Sequence, residues 1–176
     1  YLEPGIRTIN VSLNGPDIYS SRKNPRYVAD VYLLADYYST LSNISLSKEY
    51  SYKDFDFLAA FTGTIFDNGI DNDMDSFFDY LEIGVQVNVS DPGTYFLSAY
   101  GLLDNESNYI DVYDSKTSNL DAGIHTVNLY FYGPQIRVSG LNATKVSSIH
   151  LSVKTSSYSY TDCDNLWDVS LSKEYP

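Results

Sequence analysis

The sequence predicts an all-β protein, an antiparallel β-sandwich of the jelly-roll or immunoglobulin-like kind. Three observations carry this. Apolar and polar residues alternate with a period of two in many short segments. Turn residues recur between those segments. Over the 176 residues no segment repeats its apolar residues with the 3.6-residue spacing of an amphipathic helix.

In chain order, Ile9, Val11 and Leu13 give the first alternating segment, 6–13, which ends at Asn14-Gly15-Pro16. Strands are predicted next over 27–34 and 57–65, and Asp67-Asn68-Gly69 reads as a turn. Leu81, Ile83, Val85, Val87 and Val89 then alternate with Glu82, Gly84, Gln86 and Asn88, as a half-buried strand requires. Asp91-Pro92-Gly93 turns the chain into strands at 94–102 and 108–113. In 124–132, Val127, Leu129 and Phe131 face one way, and Thr126, Asn128 and Tyr130 the other. Gly133-Pro134 reads as a further turn. Ile149, Leu151 and Val153 mark the next strand, and 166–172 the last.

Composition narrows the function. Hydrophobic residues are 43% and aromatics 15%, enough for a core. The net charge of -12 argues against nucleic acid and anionic lipid, which need a basic face. No apolar run approaches the ~18 residues of a membrane span, so no membrane insertion within this chain is expected. Polar surface comes from Ser, Asn, Thr and 18 Tyr, a composition typical of secreted β-proteins. The single cysteine, Cys163, excludes an internal disulfide framework and reads as a partly buried small residue. His125 and His150 fall on outward strand phases with no Ser or Cys nucleophile at a recognised spacing, so no enzyme and no catalytic residue is expected. Outward aromatics such as Tyr130 and Tyr132, and the pair Tyr158 and Tyr160, suit either sugar stacking or ordinary cross-strand pairing.

The chain also repeats itself. LEPGIRTINVSLNGPDIYSSRKN (2–24) parallels LDAGIHTVNLYFYGPQIRVSGLN (120–142) at an offset of 118, and SLSKEY recurs at 45–50 and 170–175 at an offset of 125. The seven extra residues of the second copy fall near TDCDNLW, 161–167. Residues 1–56 therefore read as the second half of a β-sandwich repeat and 57–176 as a complete one. The chain begins in the middle of a repeat, and the half-unit lacks strands to cover its apolar faces. Upstream sequence, residues 57–176 in one fused sandwich, or a neighbouring chain by strand addition would supply them; of the last two the neighbouring chain is favoured.

The densest chemical constellation is DNGIDNDMDSFFDYLE, 67–82. Asp71, Asp73, Asp75 and Asp79 occupy loop positions 1, 3, 5 and 9, with Phe77 at 7 and Glu82 at 12. Alternate carboxylates in a tight loop converge on a hard cation, and position 7 offers its carbonyl; Ca²⁺ suits such an irregular oxygen set. Ser76 stands where such loops carry Gly, a departure expected to distort the turn or weaken binding. Glu82 also fits the outward phase of its strand, and a solvated acidic turn is the competing reading. Five sequons, at Asn10, Asn43, Asn88, Asn105 and Asn142, are candidate glycosylation sites.

These segments, with YSYKDF at 50–55, resemble a family of tandem β-sandwich repeats of surface and secreted proteins of archaea, especially methanogens, and of some bacteria. The family pattern runs D-x-D-x-D-G-x-x-D-Y-L, V-x-V-x-V-N-V, G-x-Y and G-x-x-T-V-x-L-x-F-x-G. It maps here onto 71–81, 83–89, Gly93-Thr94-Tyr95 and 123–133. The resemblance implies an extracellular, cell-surface module, with Ca²⁺ on Asp71, Asp73, Asp75 and Asp79. The expected function is a self-assembling, glycosylated structural protein of an archaeal envelope, as in an S-layer, sheath or extracellular filament. The alternative is an adhesin or a carbohydrate-binding accessory module of a larger secreted protein. Partners would be further copies in a polymer or lattice, and glycans.

Overall fold

A computed structural model describes residues 6, 8–34, 38–156 and 159–176. The chain splits into two compact units, Tyr1–Asp56 and Phe57–Pro176.

In the first unit Pro16 opens a short helix, α1 (Gly15–Ser20), where its fixed φ suits the first turn. Strands β1 (Tyr27–Leu34) and β2 (Tyr38–Ser45) form an antiparallel hairpin, with Tyr27 opposite Ser45. A 3-10 turn over Tyr52–Asp54 closes the unit under a capping box: Lys53 N–H donates to the Ser51 hydroxyl, and Ser51 N–H to Asp54 Oδ2. The expected strand at 6–13 does not form; the described residues from Thr8 to Asn14 have no regular structure. Its alternation promises an apolar face, but a strand also needs a neighbour for its amides. In the second unit the matching segment pairs along its whole length with the strand that starts at Tyr80, and the described residues of the first unit hold no counterpart of that strand.

The second unit is an all-β sandwich of antiparallel sheets. One sheet has the order β3 (Ala59–Ile70), β4 (Tyr80–Val89), β7 (Gly123–Tyr132). The other has the order β6 (Tyr109–Leu120), β5 (Gly93–Leu103), β8 (Ala143–Ser156), β9 (Ser159–Tyr175). A second short helix, α2 (Gly133–Ser139), links β7 to β8. The core lies between the sheets. Leu81, Ile83, Val85, Val87 and Val89 of β4 meet Tyr95, Leu97 and Ala99 of β5, with Leu129, Phe131, Ile149 and Leu151 beside them. Cys163 is in that core, as expected of it, and burial pushes its thiol up to about 12.

Two carboxylates join the edge strands of different sheets, β3 and β9. Asp164 Oδ2 accepts Phe61 N–H at 2.9 Å. Asp67 accepts from Ser172 N–H (2.8 Å), the Ser172 hydroxyl (2.6 Å) and the Tyr175 hydroxyl (2.7 Å).

Three expectations are corrected. Asp67-Asn68-Gly69 is not a turn but the end of β3. A Cβ at Gly69 would sit 2.6 Å from the Phe78 ring, so this glycine makes room for an aromatic side chain. Both Gly-Pro pairs open helices and not simple turns. The last strand is longer than 166–172, because register shifts along β8 and β9 absorb residues that break the alternation. Tyr158 lies outside the described residues.

Candidate functional site

The loop from Asp71 to Asp79 connects β3 to β4, and its stem is fixed by backbone. Asp79 N–H donates to Ile70 C=O, and Gly133 N–H donates to Asp79 C=O, both at 2.7 Å. Gly133 is buried, and a Cβ there would lie 1.8 Å from the Phe78 carbonyl oxygen, so only glycine allows this approach. Phe78 fills the space over Gly69 and meets Tyr175 edge-on at 5.9 Å. Arg137 of α2 places its guanidinium 3.6 Å from the centre of the Phe77 ring.

Inside the loop each carboxylate folds the backbone around itself. Asp71 Oδ1 accepts Met74 N–H at 2.8 Å and its Oδ2 accepts Ser76 N–H at 3.0 Å. Asp73 accepts from Asp75 N–H, Asp75 from Phe77 N–H, and Asp79 from Asn72 N–H. Met74 and Ser76 adopt left-handed backbone, φ 61° and 74°. The position where such loops carry Gly thus has the conformation that favours it, occupied by a serine.

Asp71, Asp73 and Asp79 bring one carboxylate oxygen each within 4.8 Å of the others, a cluster compatible with a metal ion. All are hard oxygen donors, which fits Ca²⁺ chemistry. Asp75 falls outside this trio. Glu82 is on β4, where its Oε1 accepts from Asn128 Nδ2 (2.7 Å) and the Tyr130 hydroxyl (2.9 Å). Gly133 and Arg137, which brace the loop, carry no signal in a single sequence, because their partners Phe78 and Phe77 are tens of residues away; Gly69 reads instead as a turn residue.

The sequons are unequal. Asn10, Asn43 and Asn105 are exposed, with Asn105 in the loop between β5 and β6. That loop is folded around Asp104, which takes hydrogen bonds from Asn108 Nδ2 and two backbone amides, and the Asn108 side chain leads in holding the Asp104 carboxyl below its usual range. Asn88 is half-buried in the central strand β4. Asn142 is exposed but donates its Nδ2, the atom a glycan would occupy, to Glu174.

The first unit presents a second feature. Ile9, Val11 and Leu13 are 57%, 67% and 62% exposed, whereas Val127, Leu129 and Phe131, at the repeat offset, are 5%, 0% and 0% exposed. Leu33 and Leu41 are exposed as well. Local structure is nonetheless duplicated. α1 and α2 both begin at the Gly of a Gly-Pro pair. Lys48 lies over the Tyr50 ring at 4.6 Å, as Lys173 lies over Tyr175 at 5.0 Å.

No family model, curated protein or solved structure matches this chain.

Proposed function

We propose that the chain is a non-enzymatic structural module of an extracellular cell-envelope assembly, in which strands from another copy complete the first unit. One observation carries this reading: the apolar face of residues 9–13 is exposed where its repeat-equivalent is core. Covering Ile9, Val11, Leu13, Leu33 and Leu41 would contribute on the order of 10 kcal/mol before entropy costs. The chemistry of the gap names its occupant. In the second unit β4 supplies the missing edge, so strands of that kind, Val-rich and with their own sheet behind them, are what this face accepts.

Ca²⁺ held by Asp71, Asp73 and Asp79 would stiffen the complete unit and neutralise acidic repulsion between copies of a chain with net charge -12. Glycans at exposed Asn10, Asn43 or Asn105 agree with a cell-surface location. Light scattering during a Ca²⁺ titration tests the reading. Particles should grow with Ca²⁺, and Val11→Asp should stop the growth without lowering the melting point of the second unit. A strictly monomeric wild type at high protein and millimolar Ca²⁺ overturns it.

A further inference from the structure

The outer face of the four-stranded sheet carries a row of aromatic rings that the sandwich itself does not use. Tyr113 of β6 is opposite Tyr100 of β5, Tyr100 is opposite Ser148 of β8, and Ser148 is opposite Trp167 of β9. His150, two residues along β8, leans back over Ser148 and closes the gap. The ring centres are 4.8 Å apart from Tyr113 to Tyr100, 5.6 Å from Tyr100 to His150, and 5.2 Å from His150 to Trp167. The row therefore runs unbroken across all four strands. Tyr113, Tyr100 and Trp167 are 52%, 42% and 65% exposed.

His150 is locked in place. Its Nδ1 bonds Asn165 Oδ1, which can only accept, so Nδ1 carries the proton and Nε2 accepts from the Ser148 hydroxyl at 3.2 Å. Ser98 and Ser148 are buried, and Ser148 bonds the His150 ring. Trp167 stands where the first copy carries Ser42: Ser148 is opposite Trp167 as Asp30 is opposite Ser42, at the repeat offsets of 118 and 125, so the seven extra residues, expected near 161–167, do not include it. The four rings of the row are uncharged, and exposed acids flank it: Asp111 is two residues from Tyr113 on β6, and Asp168 follows Trp167 on β9.

We propose that this strip binds a neutral glycan chain lengthwise, with successive pyranose rings lying against Tyr113, Tyr100 and Trp167. Sugar rings present apolar C–H faces to aromatic surfaces and hydroxyls to the polar groups beside them. The phenol hydroxyls of Tyr113 and Tyr100 and the Asn165 amide supply those polar groups. The shape of the strip decides against a protein partner. Four strands at ~4.8 Å spacing and two residues at ~3.4 Å make a footprint on the order of 100 Å². A stable protein interface needs about 800 Å² per partner. A narrow row of ring-spaced aromatics flanked by acidic residues fits an extended, neutral polysaccharide and repels an anionic one.

Trp167 is the only tryptophan, so its fluorescence reports on the strip alone. The full chain is titrated with cellohexaose, xylohexaose, mannohexaose and N-acetylchitohexaose. At least one should change the emission saturably. Trp167→Ala, followed by calorimetry, and Tyr100→Ala should each weaken that ligand at least about tenfold with an unchanged melting curve. No binding to any of the four overturns the proposal. So does binding that survives both substitutions, or a dimer in sedimentation that Trp167→Ala dissolves. Each readout is independent of Ca²⁺-dependent assembly.

Discussion

Replacing Gly133 by alanine tests whether the acidic loop is braced from α2. The added Cβ would stand 1.8 Å from the Phe78 carbonyl oxygen, 2.8 Å from its carbon and 2.9 Å from the carbonyl carbon of Asp79. All three are backbone atoms, so no side chain can swing aside. The stem must open, and the 2.7 Å hydrogen bond from Gly133 N–H to Asp79 C=O goes with it. Overpacking costs about 1–3 kcal/mol and the lost hydrogen bond about 1 kcal/mol, together roughly 2–4 kcal/mol. For a domain of this size that is a fall of about 10 °C in Tm. Gly140→Ala is the control. Gly140 is left-handed at φ 68° with nothing within 4 Å of an added Cβ, so only backbone strain of about 1 kcal/mol is expected. Urea unfolding measures both. Because Asp79 is both stem and cluster member, Ca²⁺ should also bind Gly133→Ala at least about tenfold more weakly. If Gly133→Ala costs no more than Gly140→Ala, the bracing argument is refuted. If it destabilises but leaves Ca²⁺ affinity intact, the coupling of brace to cluster is refuted.

Three further outcomes are expected. Melting should fall in EDTA and recover with Ca²⁺, by roughly 2.7 kcal/mol at 100-fold excess over Kd, and Asp73→Ala should be insensitive to both; calorimetric scans check this. Ser76→Gly should relieve the φ of 74° and stabilise the loop by about 1 kcal/mol, read as a higher urea midpoint. Burial, then the hydrogen bond and charge of Asp67, raises the Tyr175 hydroxyl to about 12, and burial does the same for Tyr95. Both fold as neutral phenols, so their contribution is complete below the unfolded value of about 10 and is lost as pH rises from there towards about 12. Denaturant curves between those limits should show the loss, and Tyr175→Phe should retain only the Tyr95 share.

Period-two alternation made most strands legible. The segment 27–34 is a strand with those bounds, and 81–89 and 124–132 are strands to within a residue. The failures have one cause: alternation records a face and not a partner. Residues 6–13 carry the same pattern as β7 and stay irregular for want of a β4. Gly69 looked like a turn residue because Phe78, the reason for it, stands nine positions away across the loop. Within the loop, spacing gathered Asp71, Asp73 and Asp79 but not the partition of the other acids, which follows strand phase for Glu82. The aromatic row on the outer sheet was not legible, since it depends on sheet order; His150 and Trp167 become neighbours only once β9 lies beside β8.

The Asp67 contacts bear on how the protein is made. Asp67 is near the end of the first strand of its unit, and Ser172 and Tyr175 close the last, 105 and 108 residues later. A ribosome delivers the chain from its N-terminus, so the Asp67 carboxylate must wait for its donors until nearly the whole unit has been synthesised. Contacts of such sequence separation form slowly and late. The carboxylate is thus a completion latch: it closes only on a chain that has reached Tyr175. A product truncated before residue 170 would keep the Asp164 clasp on Phe61 N–H but leave the Asp67 carboxylate without its Ser172 and Tyr175 donors.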